Sequence, residues 1–177
     1  MAQERVEVMS IERALGIAGY MNEGELAFLA GAAGRANCVV EIGSWQGRSA
    51  RALADHCPGI VFCVDTWGNG GEANFDENLA DLLGSKVFKV KMPSQRAAGV
   101  FALAHFEFDL IFIDASHDYE DIKRDILAWR PLLRPGGLFC GHDYQLPFPG
   151  VIQAVGELVP GFLVVVDSIW AAPRHPR

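Results

Sequence analysis

The chain has 177 residues, half of them hydrophobic, with a formal net charge of −7. A chain of this length and apolar content forms a single domain with a sizeable core and is not disordered. The acidic balance disfavours a nucleic-acid partner, because the only basic cluster is the tail Pro173-Arg174-His175-Pro176-Arg177.

No apolar run approaches the roughly 20 residues of a membrane span. The N-terminus carries Glu4 and Glu7 and lacks a signal-peptide core. Cys38, Cys57, Cys63 and Cys140 form no Cys-x-x-Cys pair, so buried thiols and a cytoplasmic location are expected. Residues 1–21 read as an N-terminal segment, partly helical, ahead of one domain over 22–177. Asn22-Glu23-Gly24-Glu25 offers a capping side chain with an acid three residues on, opening a helix that runs to Gly34. A first strand follows at 38–42, a helix at 47–57, a turn at Pro58-Gly59 and a second strand at 60–64 that ends on Asp65. Three glycines within 66–75 predict a mobile loop, with a short helix near 76–83 and a third strand at 86–90. Ser94 is a candidate cap for a helix over about 95–106. The fourth strand is 108–113, ending at Asp114. Ile122, Ile126, Trp129 and Leu133 recur at helical spacing within an amphipathic helix over 119–133. Pro135-Gly136-Gly137 turns the chain into a fifth strand at 138–142. Val151, Ile152, Val155 and Leu158 mark a last helix, before strands at 162–166 and 169–172. This alternation predicts a three-layer α/β domain around a mostly parallel sheet.

The stretch Val39-Val40-Glu41-Ile42-Gly43-Ser44-Trp45-Gln46-Gly47-Arg48-Ser49 carries the most information. It reads as a buried strand that breaks on two glycines and re-enters as a helix. Ligands of open α/β sheets bind beyond the carboxyl ends of the strands, so this turn is the expected floor of a small-molecule site. Its Gly-x-x-x-Gly spacing differs from the Gly-x-Gly-x-x-Gly of dinucleotide folds.

Four acids, Glu41, Asp65, Asp114 and Asp143, fall at or just past strand ends and should converge on one rim. Asp65 lies 22 residues beyond Gly43, where an acid can accept hydrogen bonds from both ribose hydroxyls of a nucleoside cofactor. Glu41 could order the glycine turn or meet a cationic ligand group. Asp114, His142 and Asp143 could hold a hard divalent cation. His117, three residues after Asp114, is the candidate general base. Trp129 belongs to the core, Trp45 and Trp67 could border the ligand, and His56 and His105 read as structural or solvent-facing.

These residues resemble a class I S-adenosylmethionine-dependent methyltransferase, from about residue 22 to the end. Glu41 to Ser49 resembles the first motif of the catechol O-methyltransferase-like branch, Asp65 its ribose-binding acid, and Ser94-Gln95 a pair that contacts adenine there. Ile113-Asp114-Ala115-Ser116-His117-Asp118-Tyr119 and Gly141-His142-Asp143-Tyr144 resemble the metal-binding segments of small-molecule O-methyltransferases, including macrocin-like enzymes. The resemblance implies a doubly wound, Rossmann-like methyltransferase fold, with seven strands of which the last is antiparallel. It implies an S-adenosylmethionine site of Glu41, Gly43, Ser44, Trp45, Gly47, Ser49, Asp65, Thr66, Trp67, Ser94, Gln95 and Asp114. Magnesium or another divalent cation on Asp114, His142 and Asp143, and a catalytic pair of Asp114 and His117, are likewise implied. His142 stands where those enzymes have an Asp, and His117 where the catechol enzymes have a Lys. The implied activity is O-methylation of a small hydroxylated acceptor. The short segment before Asn22 leaves room for a partner subunit in the acceptor wall, hence a homodimer. Two rivals are a nicotinamide oxidoreductase, which would want the missing Gly-x-Gly-x-x-Gly, and a non-catalytic S-adenosylmethionine-binding subunit or regulator. A hydrolase is disfavoured because no serine lies in a Gly-x-Ser-x-Gly elbow.

Overall fold

The computed structural model describes residues 11–173, so Glu4, Glu7 and the tail beyond Pro173 lie outside the described part. A short helix, α1 (Glu12–Leu15), precedes α2 (Glu23–Ala33). The capping box at the start of α2 is formed: the Asn22 side chain accepts from the Glu25 amide, and Glu25 Oε2 accepts from the Asn22 amide, both at 3.1 Å. Then come β1 (Cys38–Ile42), α3 (Arg48–His56), β2 (Ile60–Asp65), α4 (Glu72–Asn78), β3 (Val87–Lys91) and α5 (Ser94–Leu103). The remainder is β4 (Phe108–Ile113), α6 (Tyr119–Trp129) with a following 3-10 turn, β5 (Leu133–Gly141), α7 (Pro149–Leu158), β6 (Leu163–Val166) and β7 (Ile169–Ala171).

The seven strands form one sheet in the order β3-β2-β1-β4-β5-β7-β6. The first five are parallel, and β7 runs antiparallel to both β5 and β6. Every residue of β1 is buried, as a strand covered on both faces requires. Alternate strand residues feed two cores. Val39, Cys63, Leu110 and Phe112 pack with Leu26, Leu29 and Leu53 on one face. Val40, Ile42, Ile111 and Ile113 pack with Ile122, Ile126, Trp129 and Val155 on the other. All four cysteines are buried, and none of them is in a disulfide among the described residues. Among the described residues no helix is long and apolar enough to cross a membrane.

Three local expectations need correction. The stretch 66–75 is anchored: Trp67 and Phe75 are buried with ring centroids 5.0 Å apart, while Thr66, residues 68–70, Ala73 and Asn74 are exposed. Helix α4 therefore starts at Glu72, ahead of the expected 76. It is tied to β3 by Lys89, which pairs with Asp76 at 2.7 Å and Glu72 at 2.8 Å. Ser94 is no cap. Pro93 stands at the cap position, and the Ser94 hydroxyl points to Asp125 instead. Strand β5 begins five residues early, because Leu133 pairs with Phe108 before Pro135-Gly136-Gly137 bulges out and pairing resumes at Leu138.

Arg51 on α3 is 1 % exposed. It donates to Asp55 at 2.9 Å and holds Asp81 through both terminal nitrogens, at 2.7 and 3.1 Å. Asp55 and Asp81 keep 19 % and 48 % side-chain exposure, so water can take up the carboxylates once Arg51 is gone. Arg51→Met is expected to lower stability by about 1 kcal/mol in urea unfolding, and an unchanged midpoint would contradict this account of α3.

Candidate functional site

The chain runs outward from β1 to β2 and β3, then returns to place β4 on the other side of β1. Strand order reverses between β1 and β4, and a crevice opens beyond their carboxyl ends. Gly43 leaves β1 there with φ +92°, and a Cβ at that position would sit 2.0 Å from the Asp114 carbonyl oxygen. The first glycine is thus required by the approach of the chain after β4. Gly47, at φ +90°, ends the turn; a Cβ there would meet Phe75 and Leu79 at 3.2–3.3 Å, so it serves packing and does not face the cleft.

Asp65, at the end of β2, holds this turn. Its Oδ2 accepts from the Trp45 amide at 2.9 Å, and its Oδ1 from the Trp67 amide at 2.7 Å. The Trp67 indole N–H donates to the Trp45 carbonyl at 2.7 Å. Both tryptophans have positive φ, 41° and 51°, a conformation that bulky residues rarely adopt. Trp67 is buried, whereas Trp45 is half-buried with Tyr20 stacked on it at 5.7 Å. A carboxylate has about four acceptor sites, so two amides leave Asp65 capacity for a ligand.

Glu41 lies beneath the turn, fully buried, and neither of its oxygens has a hydrogen-bond partner among the described residues. Burial pushes its pKa up to about 7. The Ser44 and Ser49 hydroxyls offset part of this without forming a hydrogen bond of normal geometry, and Asp114 and Asp65 add to it. Glu41 is not a rim residue; of the four acids expected on one edge, Asp65, Asp114 and Asp143 line the crevice and Glu41 supports it from below.

The crevice has two lobes that meet at Gly43, Trp45 and Asp114. One, of about 740 Å³, is lined by Asp65, Thr66, Trp67, Met92 and Ser94. The other, of about 820 Å³, is lined by Ser44, Ser49, Glu25, His117, His142, Asp143 and Phe148. Gln95 lines neither.

In the second lobe His142 is 7 % exposed and surrounded by carboxylates. Its Nε2 lies 2.9 Å from Glu25 Oε1, and its Nδ1 lies 3.2 Å from Asp143 Oδ1 and 3.6 Å from Asp114 Oδ1. Burial alone would lower its pKa, but Asp114, Asp143 and Glu25 outweigh it and raise the value to about 12. Burial likewise opposes charge on Glu25, yet bonds from His142, the Asn22 amide and Ser168 bring it down to about 2. The far oxygen of Asp143 lies 2.7 Å from His117 Nε2, and the His117 ring stacks on Phe148 at 4.0 Å. Burial acts against charge on Asp143 too, but His142 and His117 hold it below its ordinary value. Asp114, His142 and Asp143 present ligand atoms within 4.8 Å of one another, the donor set expected for a cation.

Glu25 is the main residue that the sequence did not disclose. Its place in the capping box uses one carboxylate oxygen, and the other crosses to His142 and the Ser168 hydroxyl. Asp125 is the second. It sits in the apolar stripe of α6 between Ile122 and Trp129, 2 % exposed, and accepts from Ser94 and Gln95. Burial raises its pKa to about 6, Ser94 and Gln95 pull it down, and Asp121 raises it. An acid within such a stripe was a legible signal of a buried partner.

A parallel sheet in this order, with an antiparallel β7 and a ligand-sized crevice at the β1/β4 switch point, is the Rossmann-like fold of class I S-adenosylmethionine-dependent methyltransferases. Residues 40–144 match the family model described as a methyltransferase domain. The match covers more than half of the chain, which therefore belongs to that family. Among solved structures, a candidate O-methyltransferase from Klebsiella pneumoniae is 21 % identical with a TM-score of 0.71, over 95 % of this chain and 87 % of that one. An O-methyltransferase from Bacillus cereus in complex with S-adenosylhomocysteine is 21 % identical with a TM-score of 0.68, over 91 % and 89 %. The mycinamycin-pathway methyltransferase MycE, in complex with magnesium, S-adenosylhomocysteine and mycinamycin VI, is 17 % identical with a TM-score of 0.63, over 90 % of this chain and 51 % of that one. These identities establish a shared fold. Among curated proteins no match is found.

Glu41 and Asp125 bind protons more readily in the folded chain, with pKa values of about 7 and about 6. Between pH 4.5 and 7 the folded state holds protons that the unfolded chain has released, so these two groups make stability fall as pH rises. Glu41→Gln is expected to flatten that fall and to stabilise the protein at pH 8 by about 3 kcal/mol, the free energy of a displacement from 4.5 to about 7. Thermal melts across this range that coincide for the variant and the parent would contradict the orphaned carboxylate.

Proposed function

We propose that the chain transfers a methyl group from S-adenosylmethionine to a hydroxyl oxygen of a small-molecule acceptor, assisted by a divalent cation. The observation that carries this reading is that Asp65 and Gly43 line one lobe of a crevice whose other lobe holds Asp114, His117, His142 and Asp143. The cofactor fits on the chain's own features. Asp65 keeps acceptor capacity after binding two amides, and the buried Ser44 hydroxyl has no partner among the described residues.

In this reading Asp65 accepts the ribose hydroxyls and the turn at Gly43, Ser44 and Ser49 receives the amino-acid end. Thr66, Trp45 and Ser94 border the nucleoside, and Trp67 backs that wall. S-adenosylmethionine supplies an electrophilic methyl group on its sulfonium. What the protein adds is alignment of the acceptor oxygen, catalysis by proximity and orientation. His117 is the general base. With Nε2–H donated to Asp143, its Nδ1 is the proton-accepting nitrogen, and the Phe148 ring fixes the plane. Asp114, His142 and Asp143 would hold the cation, with His142 giving up its Nδ1 proton to do so. Bound there, a cation would supply positive charge to stabilise a developing alkoxide. Glu25 orients His142, as an outer carboxylate orients a ligating histidine. A homodimer in the cytoplasm, with the partner completing the acceptor wall, is part of the same reading.

Calorimetry with S-adenosylhomocysteine is expected to show binding, and Asp65→Ala to weaken it at least about tenfold, a loss of about 1.4 kcal/mol. Unchanged affinity rejects the ribose assignment. His117→Ala is expected to cut turnover about 100-fold while sparing cofactor affinity; a parental rate would leave His117 a structural residue. Treatment with EDTA should abolish methyl transfer, and activity that survives it removes the cation from the mechanism.

A further inference from the structure

Of the three clustered donors in the second lobe, two offer oxygen and one offers nitrogen. His142 Nδ1 lies 3.2 Å from Asp143 Oδ1 and 3.6 Å from Asp114 Oδ1. Bonds of about 2.1 Å at right angles put neighbouring ligand atoms about 3 Å apart, so a small dication shared by the two aspartates has that nitrogen as its third neighbour. The ring has nowhere to withdraw. It is 7 % exposed, and its Nε2 faces Glu25, itself 3 % exposed. Glu25 is fixed in turn. One of its oxygens accepts from the Asn22 amide at 3.1 Å, and the other accepts from the Ser168 hydroxyl at 2.8 Å while facing His142 at 2.9 Å. An ionised carboxylate only accepts, so Nε2 carries the hydrogen of a neutral ring and Nδ1 presents its lone pair to the lobe.

We infer that this donor set selects a nitrogen-binding transition-metal dication, iron(II), cobalt(II), nickel(II) or zinc(II), over magnesium, and that His142, held by Glu25, sets the choice. This rests on the cation reading above. Magnesium is a hard ion that takes carboxylate oxygen and keeps several waters. Imidazole nitrogen suits zinc, iron and nickel, and geometry and donor type are what sort such ions among sites. With the nitrogen fixed in place, magnesium gains two oxygens and faces a third donor that it holds weakly. A transition ion gains three good ligands from the same residues. The outer carboxylate strengthens the difference, because a histidine that donates its other N–H to a carboxylate is a more basic ligand. Glu25 touches no ion in this arrangement and acts through His142 as a positioning residue.

The test is calorimetric titration of the full chain, stripped with EDTA and dialysed, with zinc chloride and separately with magnesium chloride. The parent is expected to bind zinc at least about 1000-fold more tightly than magnesium. His142→Asp makes all three donors oxygen; it should lose about 100-fold in zinc affinity and keep or gain affinity for magnesium. Should His142→Asp fail to fold, Glu25→Gln carries the test, with zinc affinity falling about tenfold and magnesium affinity unchanged. A parent that binds the two ions equally, a His142→Asp variant that keeps the full zinc preference, or a Glu25→Gln variant that weakens both ions alike overturns the inference and leaves the cation reading standing. If the parent binds neither ion, the inference and the cation reading fall together, and binding of S-adenosylhomocysteine in the same preparation shows that the cofactor reading survives them.

Discussion

The crevice depends on the carboxylate of Asp65. Two bulky residues, Trp45 and Trp67, are held in a left-handed backbone conformation that costs about 1–3 kcal/mol each, and both amides end on this one side chain. It ties the turn after β1 to the turn after β2. The Trp67 indole completes the clasp by donating to the Trp45 carbonyl, and Phe75 and Lys89 pack against the same ring. The segment after β2 is thus a fixed wall with a short exposed tip. The same carboxylate that braces the turn is the one proposed to receive the cofactor's diol, so structure and binding are not separable at Asp65.

Charge decides the character of the second lobe. Glu25, Asp114 and Asp143 surround one imidazole, and their combined pull overcomes the burial that would otherwise keep His142 neutral. In the chain alone, the positive charge between the two aspartates resides on that ring. Asp143 serves two histidines, with one oxygen toward His142 and the other toward His117, so the proposed cation site and the proposed base share a hinge. Any change at Asp143 is felt by both.

Much of this was legible in the chain. The buried run 38–42, the acids at 65, 114 and 143, and the alternation of periods gave the sheet and its rim, because parallel strands covered on both faces leave continuous apolar runs that end abruptly in polar residues. The failures share a cause. Glu25 keeps its expected capping role but also reaches His142 through its second oxygen, while Ser94, expected as a cap, is redirected to Asp125, an acid whose partner lies on another element. The glycine-rich stretch 66–75 looked loose because composition does not reveal that Trp67 and Phe75 pack against each other in the core. The glycine spacing of the turn likewise does not disclose that Gly43 lies against the Asp114 carbonyl and Gly47 against Phe75 and Leu79. Tertiary contact, which no local window contains, separates these cases.

A crystal structure of the protein soaked with S-adenosylhomocysteine tests the central claim most directly. The account predicts the ribose diol within hydrogen-bonding distance of the Asp65 carboxylate, the amino-acid end against Gly43 and Ser49, and the sulfur opening toward Asp114 and His117. A nucleoside bound elsewhere on the sheet, or with its diol turned away from Asp65, would contradict it.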